Sequence, residues 1–301
     1  MTITEIQQYI EEIEKDAFLL EGKAFDKRTD VIDFIDFQLM ERLNTLLQTN
    51  TFAEIISLKT RAEKLVLQLE EIDKSLFKKL RQEICIQKII APGFLNILHE
   101  YIDFDIHDSI KQQEAGYDNL DIFINGLISA AAIPAQSKTL EPGMVFYQKT
   151  PARIILELVE KANFKPDDVF IDLGSGLGQA TILVHLLTGI TAKGIEYEPA
   201  FCDYANNCAA ELNLQNVTFI NADARETDYT EGTVFFMFTP FLDAILSDVM
   251  KRLRNQTAGR KIKLFTYGPL TAQILKENWL TSPEDVDNNL YKLAMFTNIP
   301  A

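Results

Sequence analysis

Three acidic residues stand where this sequence is best able to hold a polar ligand. Asp172, Glu196 and Asp223 each come at the end of a short apolar run. A carboxylate attracts an ammonium group and accepts hydrogen bonds from hydroxyl and amino groups. One acid in such a place is more often a helix cap or a solvated group. Three in succession, the first beside a glycine-rich turn, predict a single binding site.

The glycine-rich turn comes just after Asp172. Its residues with a predicted binding role are Gly174, Ser175, Gly176, Gly178 and Gln179. Glycines permit positive φ angles and let a ligand approach the backbone closely. The G-x-G-x-x-G pattern of dinucleotide-binding folds would need a third glycine at position 179. Because Gln179 stands there, and because Asp172 would repel a pyrophosphate, a dehydrogenase is the least favoured alternative.

Each acid suits a different part of a ligand. Asp172 is placed to attract an ammonium group. Glu196 can accept hydrogen bonds from both hydroxyls of a ribose. Asp223, followed by Ala224, can accept a hydrogen bond from an adenine amino group.

The elements that must position these residues follow a break at Glu141-Pro142-Gly143. Short apolar runs then alternate with helical patterns, which is typical of βαβ units and a parallel sheet. The predicted strands cover about residues 169–173, 192–196, 217–221, 233–238, 262–267 and 291–297. Helices are predicted to begin near Thr150, Gln179, Pro199, Leu242 and Pro269. Because the carboxyl ends of parallel strands meet at one edge, we expect the acids and the turn to lie together.

The first half of the chain reads as helical, because apolar residues recur at helical spacing with charged residues between them. Four such runs cover about residues 6–17, 31–46, 52–69 and 76–90. No cluster in this half has catalytic spacing. We therefore predict an all-helical domain over residues 1–140, a candidate cap for acceptor recognition, and a ligand-binding domain over residues 141–301.

The motifs carry a resemblance. Asp172-Leu-Gly-Ser-Gly-x-Gly, Gly194-Ile-Glu196 and Asn221-Ala-Asp223-Ala224 resemble the first three motifs of class I S-adenosylmethionine (SAM)-dependent methyltransferases. The resemblance covers about residues 142–300 and implies a Rossmann-like α/β fold with SAM as cofactor. It implies that Asp172 and the glycine turn hold the methionine moiety, Glu196 the ribose, and Asp223 with Ala224 the adenine.

Within that superfamily, the motif from Asp172 to Gln179 is most similar to the histone-lysine methyltransferases of the disruptor-of-telomeric-silencing family. That family also has a helical region before its catalytic domain, and the resemblance implies a protein lysine as acceptor. Its fourth motif is asparagine-rich, whereas here it reads Phe236-Met-Phe-Thr-Pro-Phe241. The chain also lacks a long basic arm. The resemblance therefore supports a shared fold more than a histone substrate.

The fourth motif and an upstream segment supply candidate catalytic residues. Thr239 and Phe241 are predicted to lie beside the methyl group, where they can offer an oxygen and a ring to an acceptor nitrogen. The alternative, in which Thr239 and Pro240 cap the next helix, is at least as well supported. Tyr147 and Thr150 resemble a segment that closes over the methionine end in some subfamilies.

Composition bounds the partners. The net charge of −15 disfavours broad nucleic-acid binding. No stretch resembles a signal peptide or a membrane span, so we expect a cytoplasmic protein without a membrane partner. The three cysteines and three histidines lack metal-ligand spacing, and no metal is predicted.

Two charged clusters allow a functional and a structural interpretation each. A basic cluster between Lys251 and Lys263 suits phosphate binding or, more simply, a helix end and a solvated loop. An acidic stretch from Glu100 to Asp121 suits a basic substrate or a solvated face.

The sequence thus predicts a SAM-dependent methyltransferase acting on an N or O nucleophile, with a protein lysine as the acceptor implied by resemblance. A small-molecule acceptor is the first alternative. A module that binds SAM without catalysis is another, since it would keep the same motifs. Methyl transfer from a sulfonium needs mainly alignment and exclusion of water, which agrees with the lack of an evident general base. Neither the acceptor's identity nor the oligomeric state is specified by these motifs.

Overall fold

A computed structural model describes residues 1–49, 52–105, 116–283 and 291–298. The chain forms two compact units. One consists of residues 1–80 and 96–103, and the other of residues 81–95 and 104–301. The predicted division at residue 140, with a helical cap before it, stays a prediction.

The first unit is helical. Its helices are Ile3–Lys15, Phe25–Phe34, Met40–Thr49, most of Ala53–Gln87 and part of Gly93–Tyr101. A π-helical turn, Ile35–Leu39, joins the second helix to the third. A capping box at Thr2 and Glu5 starts the first helix, since each residue's side chain accepts a hydrogen bond from the other's backbone amide. The apolar stripes predicted from sequence form a buried core that includes Ile6, Ile10, Ile35, Leu39 and Leu43.

The third and fourth predicted helical runs form one helix, Ala53–Gln87. The residues between the two runs include no glycine or proline, so nothing in the backbone ends the helix there. Asp73, in that interval, accepts a hydrogen bond of 2.7 Å from Nε of the buried Arg28. Asp73 is thus one half of a buried ion pair, whereas Lys74 pairs with Glu70 and Glu71 at the surface.

The second unit is built on a sheet whose described strands are β1 (Val169–Leu173), β2 (Thr191–Glu196), β3 (Val217–Asn221), β4 (Val234–Phe238), β5 (Lys263–Tyr267), β6 (Leu280–Thr281) and β7 (Ala294–Asn298). Their order is β3-β2-β1-β4-β5-β7-β6. Strands β1 to β5 are parallel, and β7 is antiparallel to β5 and β6. The order reverses between β1 and β4, and ligands bind at such a switch point in open α/β sheets.

The predicted strands correspond to β1 to β5 and β7. Two features of the sheet differ from the sequence-based prediction. Strand β6 was not predicted, because two residues are too few to form an alternating pattern. Strand β7 runs antiparallel to its neighbours. The prediction of a parallel sheet missed this, because apolar periodicity reports burial and not strand direction.

The second unit includes the remaining parts of helices Ala53–Gln87 and Gly93–Tyr101. Its other described helices are Asn119–Ile128, Ala152–Ala162, Gln179–Thr188, Pro199–Glu211, Asp243–Gln256 and Thr271–Ile274. Helices Gln179–Thr188 and Pro199–Glu211 begin at the predicted residues. The central strands β1 and β4 are buried along nearly their whole length, as expected when both faces of a parallel sheet are covered. This architecture confirms the predicted α/β fold with helices ahead of the sheet.

Candidate active site

The glycine turn connects β1 to the helix Gln179–Thr188 and forms part of the wall of the site. The amides of Gly174 and Ser175 both donate to the carbonyl of Ile195, at 2.8 and 3.0 Å. Gly174 has a φ of +79°, and a Cβ there would lie 2.2 Å from Cβ of Pro240. Glycine is therefore required where the turn meets the fourth motif.

Glycine is also required at position 176, where the turn meets Tyr147 of the segment that precedes helix Ala152–Ala162. Its φ is +53°, and a Cβ there would lie 2.2 Å from the ring of Tyr147. The Tyr147 ring also packs against Phe201, with ring centroids 5.5 Å apart. Tyr147 thus covers the turn, and burial raises the pKa of its phenol, which stays protonated at neutral pH.

Asp172 lies at the end of β1 and is only 3% exposed. Burial raises its pKa to about 7, although Oδ2 accepts a hydrogen bond of 3.1 Å from the Thr181 hydroxyl. A cationic ligand group beside Asp172 would favour its charged form. Sequence reasoning missed Thr181, whose only signal is its position in the first turn of the helix that begins at Gln179.

Glu196 ends β2 and is held by the backbone on both oxygens. Oε2 accepts from the Gly176 amide and Oε1 from the Glu198 amide, each at 2.7 Å. Burial raises the pKa of this carboxyl. A carboxylate oxygen has two lone pairs, so each oxygen can still accept a further hydrogen bond, such as one from a ribose hydroxyl.

Two polar side chains in the site have buried atoms without a hydrogen-bond partner among the described residues. They are the hydroxyl of Ser175 and both amide atoms of Gln179. A buried polar group without a hydrogen bond costs about 1–3 kcal/mol. The Ser175 hydroxyl can donate and accept, Nε2 of Gln179 can donate, and Oε1 of Gln179 can accept. Such a set fits a ligand group that carries both an ammonium and a carboxylate, such as the methionine end of SAM.

Asp223 follows β3, and its carboxylate is engaged by Arg225. It accepts from the Arg225 amide at 2.8 Å, from Nε at 3.0 and 3.1 Å, and from Nη2 at 2.6 Å. These hydrogen bonds hold the pKa of Asp223 below its usual value. Sequence reasoning missed Arg225, and an adenine amino group must share Asp223 with it.

Thr239 follows β4 at a φ of +41°. Its hydroxyl donates to the carbonyl of Tyr267 at 2.9 Å and accepts from the Leu270 amide at 3.4 Å. The side chain therefore ties the fourth motif to the loop after β5. Phe241 is buried and forms a β-bridge with Met144 of the upstream segment. The predicted catalytic roles of Thr239, Phe241 and Tyr147 stay predictions.

Thr150 is buried just before helix Ala152–Ala162. The start of that helix is fixed by Asp121, which accepts a hydrogen bond of 2.8 Å from the Ala152 amide. Burial raises the pKa of Asp121 to about 6. This member of the predicted acidic stretch is a structural group rather than part of a solvated face.

These residues surround one cavity that is open to solvent. It is lined by every predicted site residue except Gly176 and Gly178, which shape the turn behind it. Lining residues that no motif had indicated include Leu140, Tyr197, Phe201 and Ile245. They come from separate segments, and only folding brings them to the carboxyl edge of the sheet.

Other sequence features are accounted for within the described residues. In the basic cluster, Arg252 donates to the carbonyls of Glu226 and Thr227, and Arg260 to those of Tyr229 and Gly232. In the described parts of the chain, no group of His, Cys, Asp or Glu is arranged to hold a metal, and no helix is long and apolar enough to cross a membrane. His107, Asp108 and Glu114 lie outside the described residues.

The buried pair formed by Asp172 and Glu196, the unpartnered Ser175 and Gln179, and the glycine cradle together fit SAM. When bound, SAM supplies a methyl group activated on a sulfonium. The protein's own part would be to bind and orient: Asp172, Ser175 and Gln179 would hold the amino-acid end, Glu196 the ribose, and the Asp223 loop the adenine. Tyr147 and Phe241, which line the cavity, would help to keep water from the reacting groups.

Comparison with protein families agrees with this assignment. Residues 142–279 match the family model of the histone methylation protein DOT1. Among solved structures, the chain is similar to an RNA methyltransferase from Salinibacter ruber in complex with S-adenosyl-L-homocysteine, at 25% identity and a TM-score of 0.41, over 51% of this chain and 94% of that one. It is similar to precorrin-6y C5,15-methyltransferase from Geobacter metallireducens GS-15, at 15% identity and a TM-score of 0.39, over 51% and 90% of the two chains. A ribosomal protein L11 methylase from Lactobacillus delbrueckii subsp. bulgaricus matches at 16% identity and a TM-score of 0.39, over 54% and 83%.

The family match spans β1 to β5 and includes the glycine turn, all three acids and the fourth motif. The predicted activity and cofactor are thereby confirmed. This chain is a class I SAM-dependent methyltransferase whose catalytic domain is related to DOT1.

Proposed function

We propose that the methyl acceptor is the side-chain amine of a lysine in a protein. The observation that carries this proposal is the apolar character of the cavity around the fourth motif. Phe146, Tyr147, Phe238 and Phe241 line it, and the Thr239 hydroxyl is already paired within the protein. A lysine side chain presents a stem of methylene groups that gains from burial against such rings.

The same wall favours the reactive form of the acceptor. An ammonium must lose a proton before its nitrogen can attack a methyl group. Apolar surroundings lower the pKa of an amine, so the neutral form is favoured inside the cavity and the proton leaves to solvent. The net charge of −15 draws a cationic acceptor towards the protein.

The rim of the cavity offers a contact for the acceptor. Phe146 is 77% exposed while lining the cavity. The match to a histone methylation family supports a protein acceptor. The fourth motif differs from that family's asparagine-rich motif, so the proposal extends to a protein lysine and not to histones in particular.

Methyl-labelled SAM tests the proposal. Label is expected to enter poly-L-lysine and core histones, and acid hydrolysis should recover it as methyl-lysine. Poly-L-arginine is the matched control, since it has the same charge without a lysine amine, and it should stay unlabelled. Transfer only to a small-molecule extract would contradict the proposal. Tight SAM binding without transfer to any acceptor would instead indicate a binding module.

A further inference from the structure

Residues 136–148, here called the strap, form one wall of the cavity without any helix or strand beyond the bridge at Met144. Gln136, Leu140, Met144 and Tyr147 along the strap line the cavity. A segment with so little internal hydrogen bonding is held in place by what it is attached to. The strap is attached to the sheet edge at several points, which include the Lys138 ammonium on the Tyr197 carbonyl and the Tyr147 ring on Phe201; three further attachments differ in their burial and charge.

The first attachment is buried. Glu198 is 2% exposed, and its Oε2 accepts from the amides of Ser137 and Lys138, at 2.9 and 2.7 Å. The Ser137 hydroxyl and the Ala200 amide donate to Oε1. Burial alone would raise the pKa of Glu198, but these hydrogen bonds outweigh it and hold the pKa below the usual value. The carboxylate is thus charged and saturated with donors, which makes this end of the strap a fixed anchor.

The second attachment is an exposed ion pair. Nη2 of Arg225 lies 2.9 Å from Oε2 of Glu141, and the two side chains are 28% and 40% exposed. Oε1 of Glu141 is 3.5 Å from the Tyr197 hydroxyl. Exposed ion pairs are weak and are screened by salt. This attachment can open without unfolding anything else.

The third attachment is made by the backbone. The Val145 amide donates to the carbonyl of Pro240 at 3.1 Å, and the Leu242 amide to that of Gly143 at 2.8 Å. It joins the strap to the fourth motif. Unlike the ion pair, it is insensitive to charge.

The ion pair is also connected to the cofactor site. The same Nη2 of Arg225 that contacts Glu141 lies 2.6 Å from Oδ2 of Asp223, which lines the cavity. Three donors of Arg225 reach Asp223: its amide, Nη2, and Nε, whose one hydrogen is shared between the two oxygens. A carboxylate has about four lone-pair positions, so a ligand amino group that binds Asp223 competes there with the guanidinium, which leaves more of the guanidinium for Glu141.

We propose that Arg225 is a positioning residue that fastens the strap over the bound cofactor, with Glu141 as the releasable latch and Glu198 as the fixed anchor. Opening of the Glu141–Arg225 pair limits how fast the demethylated product, S-adenosylhomocysteine (SAH), leaves. This inference concerns the cofactor end of the site and is independent of the acceptor.

Stopped-flow measurement of SAH dissociation from the full chain tests the latch. Glu141→Gln should release SAH about threefold to fivefold faster, because it removes one exposed ion pair. Raising the salt concentration should speed release from the unmodified protein and have little effect on the variant. Glu231→Gln is the matched control: it breaks the exposed Lys193–Glu231 pair, which does not line the cavity, and should leave both the rate and its salt dependence unchanged.

Hydrogen exchange supplies a second measurement. SAH should slow exchange of the strap amides, including Ser137 and Val145, in the unmodified protein. In Glu141→Gln the protection should persist at Ser137, beside the anchor, and at Val145, in the backbone attachment, and fall at Met144, whose amide donates to the Glu141 carbonyl. If Glu141→Gln matches Glu231→Gln in release rate, salt dependence and exchange, the latch does not exist.

Discussion

The two sides of the cavity differ in whether their buried polar groups are already hydrogen-bonded within the protein. On the cofactor side, at the ends of β1 and β2, the Ser175 hydroxyl and the Gln179 amide are buried without partners, and burial raises the pKa of Asp172. On the proposed acceptor side, after β4, the Thr239 hydroxyl is already bonded to the Tyr267 carbonyl, and the rings of Phe238 and Phe241 line the cavity.

This difference shows which side is prepared for which kind of ligand. Unsatisfied buried groups are costly in the free protein, and a polar ligand repays that cost on binding. An apolar wall selects instead by shape and by exclusion of water. We infer that the cofactor is recognised by specific hydrogen bonds and the acceptor mainly by apolar fit.

The largest effect is expected at Gly174, where the glycine turn on the cofactor side contacts Pro240 of the fourth motif. Gly174→Ala forces a positive φ on a side chain and drives a methyl group against Pro240. The free energy of unfolding should fall by about 2–5 kcal/mol. Gly259→Ala is the control, because Gly259 has a φ of +82° and nothing within 4 Å of the added Cβ. It should lose only about 1–2 kcal/mol. Equal losses in urea denaturation would show that the contact with Pro240 is unimportant.

Removing the charge of Asp172 should affect the cofactor side alone. Asp172→Asn is expected to weaken SAM binding by about 10- to 100-fold, because a charge-assisted hydrogen bond is lost. In the unmodified protein the affinity should rise as the pH is raised through about 7, since the ammonium of SAM prefers the ionised carboxylate. In the ligand-free protein the raised pKa has the opposite effect: stability should fall as the pH rises from the unfolded-state pKa of about 4 to about 7, and should level off above that.

Titration calorimetry in buffers of different ionisation enthalpy counts the protons released on binding. Asp172→Asn should abolish the pH dependence near 7. Asp223→Asn should keep it, because the pKa of Asp223 is low in the free protein. A pH dependence that survives in Asp172→Asn would assign it to another group.

Substitutions of Glu196 test whether its carboxylate, which is predicted to bind the ribose, is a ligand-binding group as well as a structural one. Glu196→Ala should weaken SAM binding by at least about tenfold. It also frees the amides of Gly176 and Glu198, so part of that loss comes from the turn itself. Glu196→Gln keeps one accepting oxygen and should lose less. Unchanged SAM affinity in a folded alanine variant would remove Glu196 from the site.

Thr239 should give the smallest effect, and on stability rather than on cofactor binding. Thr239→Val keeps the branched shape but loses the bonds to Tyr267 and Leu270, so unfolding should become easier by about 1–2 kcal/mol. SAH affinity should stay the same, and Thr239→Ser should restore the stability. A valine variant of normal stability that fails to transfer methyl groups would instead make Thr239 a catalytic residue.

The sequence determined the cofactor half of this site because its motifs are local. Asp172 and Gln179 lie on one strand-turn-helix unit, so spacing alone predicts that they face the same ligand. Strands β1 and β3 have the bounds that were predicted, and Glu196 and Asp223 lie at the cavity as expected. Short-range geometry ties each of these residues to a strand end, and a parallel sheet then gathers the strand ends.

Only the tertiary structure decided which polar groups remain free for a ligand. The partner of Thr239 is a carbonyl at the end of β5, and the partners of Glu198 lie in the strap, far away in sequence. Such pairs have no periodic signal, because a hydrogen bond between distant segments depends on how the whole sheet and its loops pack. The same holds for Arg225, whose two carboxylate partners, Asp223 and Glu141, meet only after folding.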